Sequence, residues 1–130
     1  MSEKAPALLI VGPGPALRWT MEELKRRYNY KLCYASDPYE AGLLLGIAPM
    51  DAIVCEAGPA YSSGFRLIRE ICSRSTHLPV FLFVEPESED YLFEDLAFST
   101  CHVVRSATPL DNFHRLLTAV LVRPRRVKAA

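Results

Sequence analysis

Apolar and polar positions along the chain fall into blocks that read alternately as strand and helix. Residues 7–12 (Ala-Leu-Leu-Ile-Val-Gly), Ala52–Cys55 and Leu78–Val84 are apolar runs, too short for helices and suited to strands covered on both faces. Lys31–Ala35 and His102–Arg105 read as two further strands. After the loop Gly12-Pro13-Gly14-Pro15, Leu17, Met21, Leu24 and Tyr28 recur at helical spacing, with Arg18, Glu22, Glu23, Lys25 and Arg26 between them, which predicts an amphipathic helix to about Tyr28. Asp37-Pro38-Tyr39-Glu40 combines an N-cap acid, a proline at the first helical position and a glutamate three residues after the cap, a helix start. That helix has to end by Pro49, because the residue before a proline is pushed out of the helical region. A third helix follows Gly64 with Leu67, Ile68 and Ile71 on one face, and a short acidic one spans Ser88–Phe98. The last runs Pro109–Val122, turning Phe113, Leu116, Leu117, Val120 and Leu121 inward. Five strands alternating with five helices predict an α/β fold: a parallel sheet between two helical layers, joined by right-handed crossovers.

Composition narrows the picture. With 130 residues, half of them hydrophobic, one self-sufficient domain is expected over 1–122, followed by a basic tail or linker start at 123–130. Fifteen acidic and fifteen basic side chains cancel, so no global field draws the chain to nucleic acid or to an anionic membrane. No apolar run reaches the ~20 residues of a membrane span, and the N-terminus lacks the layout of a signal peptide. A cytoplasmic protein is expected. Cys33, Cys55, Cys72 and Cys101 show no metal-ligand or CxxC spacing, and they read as buried, reduced thiols.

Candidate chemistry centres on Glu56, an acid where the third strand meets its loop. Open α/β sheets bind their ligands at such strand ends. The stretch Asp51–Ile71, a strand begun after an acid, ended on an acid and followed by a loop closing on Gly64, resembles the third strand, loop and helix of response-regulator receiver domains, the CheY-like family. Leu78-Pro79-Val80 is similar to that family's fourth strand. The resemblance implies a flavodoxin-like three-layer sandwich with strand order 2-1-3-4-5, and it places Glu56 at the phosphoacceptor aspartate. A working receiver also has two Mg²⁺-holding acids after strand one, a Thr or Ser ending strand four and a Lys after strand five. Hard oxygen ligands suit Mg²⁺, and cations offset phosphoryl charge. Here those positions hold Gly12 and Pro13, then Val84, then Ser106 or Thr108. The resemblance therefore implies a pseudo-receiver: no enzyme, no Mg²⁺ or other cofactor, no phosphoryl transfer. Its strand-five aromatic switch is replaced by Val103 or Val104. Glu56 itself reads either as a built-in phosphomimic or as a solvated strand-end carboxylate.

Other signals concern partners. Gly12-Pro13-Gly14-Pro15 with Asp37 downstream superficially resembles a dinucleotide-binding turn, but Pro13 and Pro15 lack the N–H groups such a loop aims at phosphate. Trp19 falls opposite Leu17, Met21 and Leu24 among charges, as a binding anchor would; the alternative is a ring lying over the proline-rich loop or the N-terminal arm. Around the acidic 88–98 helix, apolar residues cover more than one face, leaving some of Tyr91, Phe93 and Phe98 exposed. His114, Arg115 and Arg123–Arg126 supply basic groups nearby in the chain, and acid facing base suits a two-fold interface. In the family, the fourth helix, fifth strand and last helix form the common partner surface. The expected function is a protein–protein interaction module in bacterial signalling, binding a protein partner or a second copy through that face or the first helix. The alternatives are a small-ligand or nucleotide sensor framed by Gly12, Gly14, Glu56 and Val84, or the regulatory domain of a longer transcription factor.

Overall fold

A computed structural model describes residues 5–57, 78–84 and 101–129 of the chain. Five strands, β1 (Ala7–Val11), β2 (Lys31–Ala35), β3 (Ala52–Ala57), β4 (Val80–Val84) and β5 (Cys101–Arg105), form one sheet in the order β2-β1-β3-β4-β5. Every neighbouring pair is parallel. The described helices are α1 (Pro15–Arg27), α2 (Pro38–Ile47) and α3 (Leu110–Ala129). This is the flavodoxin-like topology expected. The helices expected after Gly64 and at Ser88–Phe98, with Tyr91, Phe93 and Phe98, lie outside the described residues.

Strand alternation sorts the apolar runs into two cores. Leu9, Val11, Ile53, Cys55, Leu82 and Val84 face one side with Ala41 of α2. Leu8, Ile10, Val54, Phe81, Phe83 and Val104 face the other, against Leu17, Met21 and Leu24 of α1 and Phe113, Leu117 and Leu121 of α3. Phe113 sits edge-on to both Phe81 and Phe83, at centroid distances of 5.8 and 4.9 Å. Burying a side chain of this size stabilises the fold by about 1.5–3 kcal/mol, so these two layers hold α1 and α3 against the sheet.

Several boundaries differ from expectation. β4 begins at Val80 rather than Leu78, because Pro79 has no N–H to give the ladder; its carbonyl still accepts from Ile53 N at 3.0 Å. β3 continues through Glu56 to Ala57, paired with Phe83 and Val84, so the strand ends one residue past the expected Glu56. α3 starts at Leu110, with the Pro109 carbonyl accepting from Asn112 N and Phe113 N. It runs on to Ala129 instead of stopping at Val122. Cys55 is buried as expected, but Cys33 and Cys101 are only partly covered. They lie on β2 and β5, the two edge strands.

Candidate functional site

The carboxyl ends of β1, β3, β4 and β5 bring Gly12, Glu56, Val84 and Ser106 to one end of the sheet. Gly12 leaves β1 with φ +57°, the left-handed region that glycine adopts without strain. Its N–H donates to the Ala35 carbonyl at 2.7 Å, which ties the loop to the end of β2. Gly14 then caps α1 without a side chain of its own, Pro15 presets the first helical position, and the first turn contains no acid. Glu56 supplies what that helix start lacks. Its Oε1 accepts from Gly14 N at 2.7 Å across 42 residues of sequence. In a capping box the glutamate three residues past the cap takes this same N–H; here an acid from β3 does so, next to the positive end of the α1 dipole. The extra methylene of glutamate over aspartate gives it that reach. Neither expected description of Glu56, phosphomimic or solvated carboxylate, includes this bond.

Pro13 has no N–H, and Val84 is fully buried. The Val84 carbonyl accepts from Ser106 N at 3.0 Å, and Thr108 N closes a turn onto the Arg105 carbonyl at 2.9 Å. Ser106 is exposed and Thr108 half-buried. Val104 points into the core while Val103 is partly covered. Among the described residues, no group of three or more His, Cys, Asp or Glu side chains could hold a metal ion.

Two sequence features find structural employment. Asp37, placed by spacing at a ribose-binding acid, accepts from Glu40 N at 2.8 Å as the N-cap of α2. Glu40 reaches back to Ser36, accepting from its N–H and its hydroxyl at 2.6 and 2.7 Å. These bonds hold its carboxyl below the usual range. Asp51, at the opposite end of the sheet, accepts from Ala7 N at 2.8 Å. Beside Gly12 a cleft of about 400 Å³ is lined by Gly12, Pro13, Arg18, Tyr34, Ser36 and Glu40. Gly14, Glu56 and Val84, expected to frame a ligand pocket, are not among its walls. Arg18 lies over the Tyr34 ring, 4.1 Å from its centroid, and the Tyr34 hydroxyl donates to Glu22 at 2.7 Å. Burial, then that carboxylate, pushes the phenol up to about 12.

Of the expected partner-surface residues, Trp19 is 66 % exposed on α1. Arg115 is exposed on α3, while His114 is half-buried. The His114 ring stacks on Tyr28 with centroids 3.6 Å apart. Its Nδ1 hydrogen-bonds the Tyr30 hydroxyl at 2.9 Å. Tyr28 in turn donates to Asp111, which pushes its phenol above the ordinary value. This clasp fixes the end of α1 to the start of α3.

Sequence reasoning missed a surface. Tyr39, Leu43 and Ile47 are 76, 55 and 78 % exposed, spaced four residues apart along the outer face of α2. The signal was present: a helix apolar on every side is normally covered on every side.

Solved structures with this fold include the chemotaxis protein CheY4 of Vibrio cholerae, at 16 % identity and TM-score 0.72 over 89 % of this chain and 98 % of that one. A response regulator receiver domain protein from Clostridium thermocellum matches at 13 % identity and TM-score 0.75, covering 94 % of this chain and 98 % of its own. An adenylate cyclase from Rhodopirellula baltica matches at 12 % identity and TM-score 0.76, covering 96 % and 93 %. No family model and no curated protein matches the chain. At these identities the likeness is one of fold. No helix among the described residues is long and apolar enough to cross a membrane.

Proposed function

We propose that this chain is a phosphorylation-independent protein–protein interaction module of receiver-like fold, working in bacterial signal transduction in the cytoplasm. The observation that carries the proposal is the bond from Gly14 N to Glu56 Oε1. The carboxylate at the acceptor position is engaged in holding the β1–α1 loop, where a receiver's metal-binding acids would stand. Gly12, Pro13 and Val84 bring no side-chain oxygen to that end of the sheet, which supports the same reading. The chain then acts through its surfaces: Trp19 on α1, Arg115 on α3, and Tyr91, Phe93 and Phe98 of the acidic segment are the candidate contacts for a protein partner.

The test is an amide NMR spectrum of the labelled domain titrated with Mg²⁺ and beryllofluoride, a mimic of a bound phosphoryl group. The expected spectrum is unchanged at Gly12, Glu56 and 103–106. Saturable shifts clustered there would show a working phosphoryl site and end the proposal. Partner capture lost in Trp19→Ala or Phe93→Ala, at unchanged melting temperature, would locate the contact face.

A second reading draws on the cleft beside Gly12, which Arg18 and Ser36 both line. A small-ligand or nucleotide sensor there predicts a thermal shift with some member of a nucleotide panel, weakened in Arg18→Ala. No shift across the panel retires it.

A further inference from the structure

We propose that the edge strand β2 pairs with β2 of a second copy of this chain, antiparallel about a two-fold axis through Cys33, so that the two sheets join into one. The direction of the peptide groups along β2 carries the inference. Lys31 N donates to the Pro6 carbonyl at 2.9 Å, and the Ala35 carbonyl accepts from Gly12 N at 2.7 Å. The odd-numbered residues of β2 therefore turn their backbone groups towards β1, and alternation along the strand turns the N–H and C=O of Leu32 and Tyr34 the other way. There the sheet ends, with no strand beyond β2 among the described residues. A row of outward donors and acceptors is a template for another strand, unless proline, a bulge or a charge blunts it. β2 matches β1 residue for residue from Lys31 to Ala35, without a bulge. It has no proline, and its one charge stands at its first position. Clefts of about 610 and 400 Å³ open beside it, the first against Lys31, Leu32 and Cys33 and the second against Tyr34 and Ala35. On the opposite edge, Cys101 and Arg105 of β5 are already engaged.

The pattern of the edge selects a second copy as the occupant. An antiparallel copy centred on Cys33 matches Leu32 of each chain with Tyr34 of the other, and each such pair exchanges both of its N–H···O bonds. Every outward group of the strand is then satisfied, with none left over. Leu32 and Tyr34, each half-buried on the α1 side of the sheet, meet across the junction and cover one another. On the α2 side, Lys31 lies opposite Ala35 of the other copy, and Asp37 is the next residue on that side. Lys31 and Asp37 are both exposed. An edge that begins on a cation and runs into an acid attracts itself antiparallel and repels itself parallel. This self-complementarity is what a two-fold contact requires. The contact is a single strand pair, smaller than a standard interface, so the dimer is weak and concentration-dependent. This inference is independent of the phosphoryl site and of the Trp19 face.

Sedimentation velocity of the reduced chain, from micromolar to near-millimolar protein, tests it. The weight-average mass should climb from monomer towards dimer. Cys33→Lys sets two cations face to face on the axis and should hold the mass at monomer. Lys31→Glu brings an acid towards Asp37 of the other copy and should push the climb to higher concentration; this exposed position carries the test if Cys33→Lys lowers the melting temperature. Trp19→Ala should leave the association untouched. Trapping checks the register. Cys33 faces Cys33 at a non-hydrogen-bonded position, with Cα atoms about 4.5 Å apart, within reach of a disulfide. Diamide takes two electrons and two protons from a thiol pair and is reduced to the hydrazine, and it should give a covalent dimer whose peptide map links Cys33 to Cys33. A chain monomeric throughout, which would leave the edge to a foreign strand, overturns the proposal. So does a dimer that survives both substitutions, one in which diamide forms no Cys33–Cys33 link, or one lost only in Trp19→Ala.

Discussion

At the scale of the residue, Glu56 carries the most information. Aspartate at this position would stop about 1.5 Å short, the length of one C–C bond, and would leave Gly14 N to water. Glu56→Ala should destabilise the domain by about 1.5–2 kcal/mol, the lower part of the range for a bond to a charged group, because the bond is only partly buried. Glu56→Asp should behave like Ala. Glu56→Gln keeps an acceptor of the same length and should lose less than half as much. Urea unfolding of the three variants decides it: an Asp variant as stable as the wild type would remove the capping role. The position of this acid was legible in the sequence, since a strand pattern ended beside it. Its partner was not, because Gly14 offers only a backbone N–H, 42 residues away, and backbone donors leave no mark in a sequence.

At the scale of the element, periodicity located what burial dictates and missed what contacts dictate. β2 matches its expected bounds, while β4 lost two residues to the missing N–H of Pro79. The pattern also read Tyr28 as the last residue of an apolar helix face. In the structure its ring lies half-buried on His114, with its hydroxyl on Asp111 and Arg27 3.7 Å from the same carboxylate. No spacing rule connects residues 28 and 114. If the clasp fastens α1 to α3, Tyr28→Ala and His114→Ala should not add. Their double-mutant cycle should return a coupling of about 0.5–1.5 kcal/mol, the scale of a stacked aromatic pair. Strict additivity in guanidinium unfolding would mean the stack contributes nothing beyond two separate burials.

At the scale of the whole molecule, alternating strand and helix patterns gave a layered parallel sheet, and the likeness of Asp51–Ile71 to a known family supplied the strand order. What the pattern could not supply was the ring that His102 lies against, and that contact bears on the chain's response to acid. His102 sits on edge strand β5, in register with Phe81, its ring stacked on that phenyl at 5.1 Å. Burial lowers its pKa below the ordinary 6.5, so the unfolded chain takes up this proton first as pH falls. Where the unfolded state binds more protons, stability rises with pH. The contribution of neutral His102 is therefore complete above 6.5 and is lost as pH falls towards its folded value, with no further loss below that. His102→Phe keeps an aromatic ring against Phe81 and removes the titration. Urea midpoints measured between neutral pH and mild acid should fall in the wild type more steeply than in this variant, and the two curves should run parallel above neutrality. Curves parallel throughout would mean that solvent reaches His102 as freely in the folded chain as in the unfolded one.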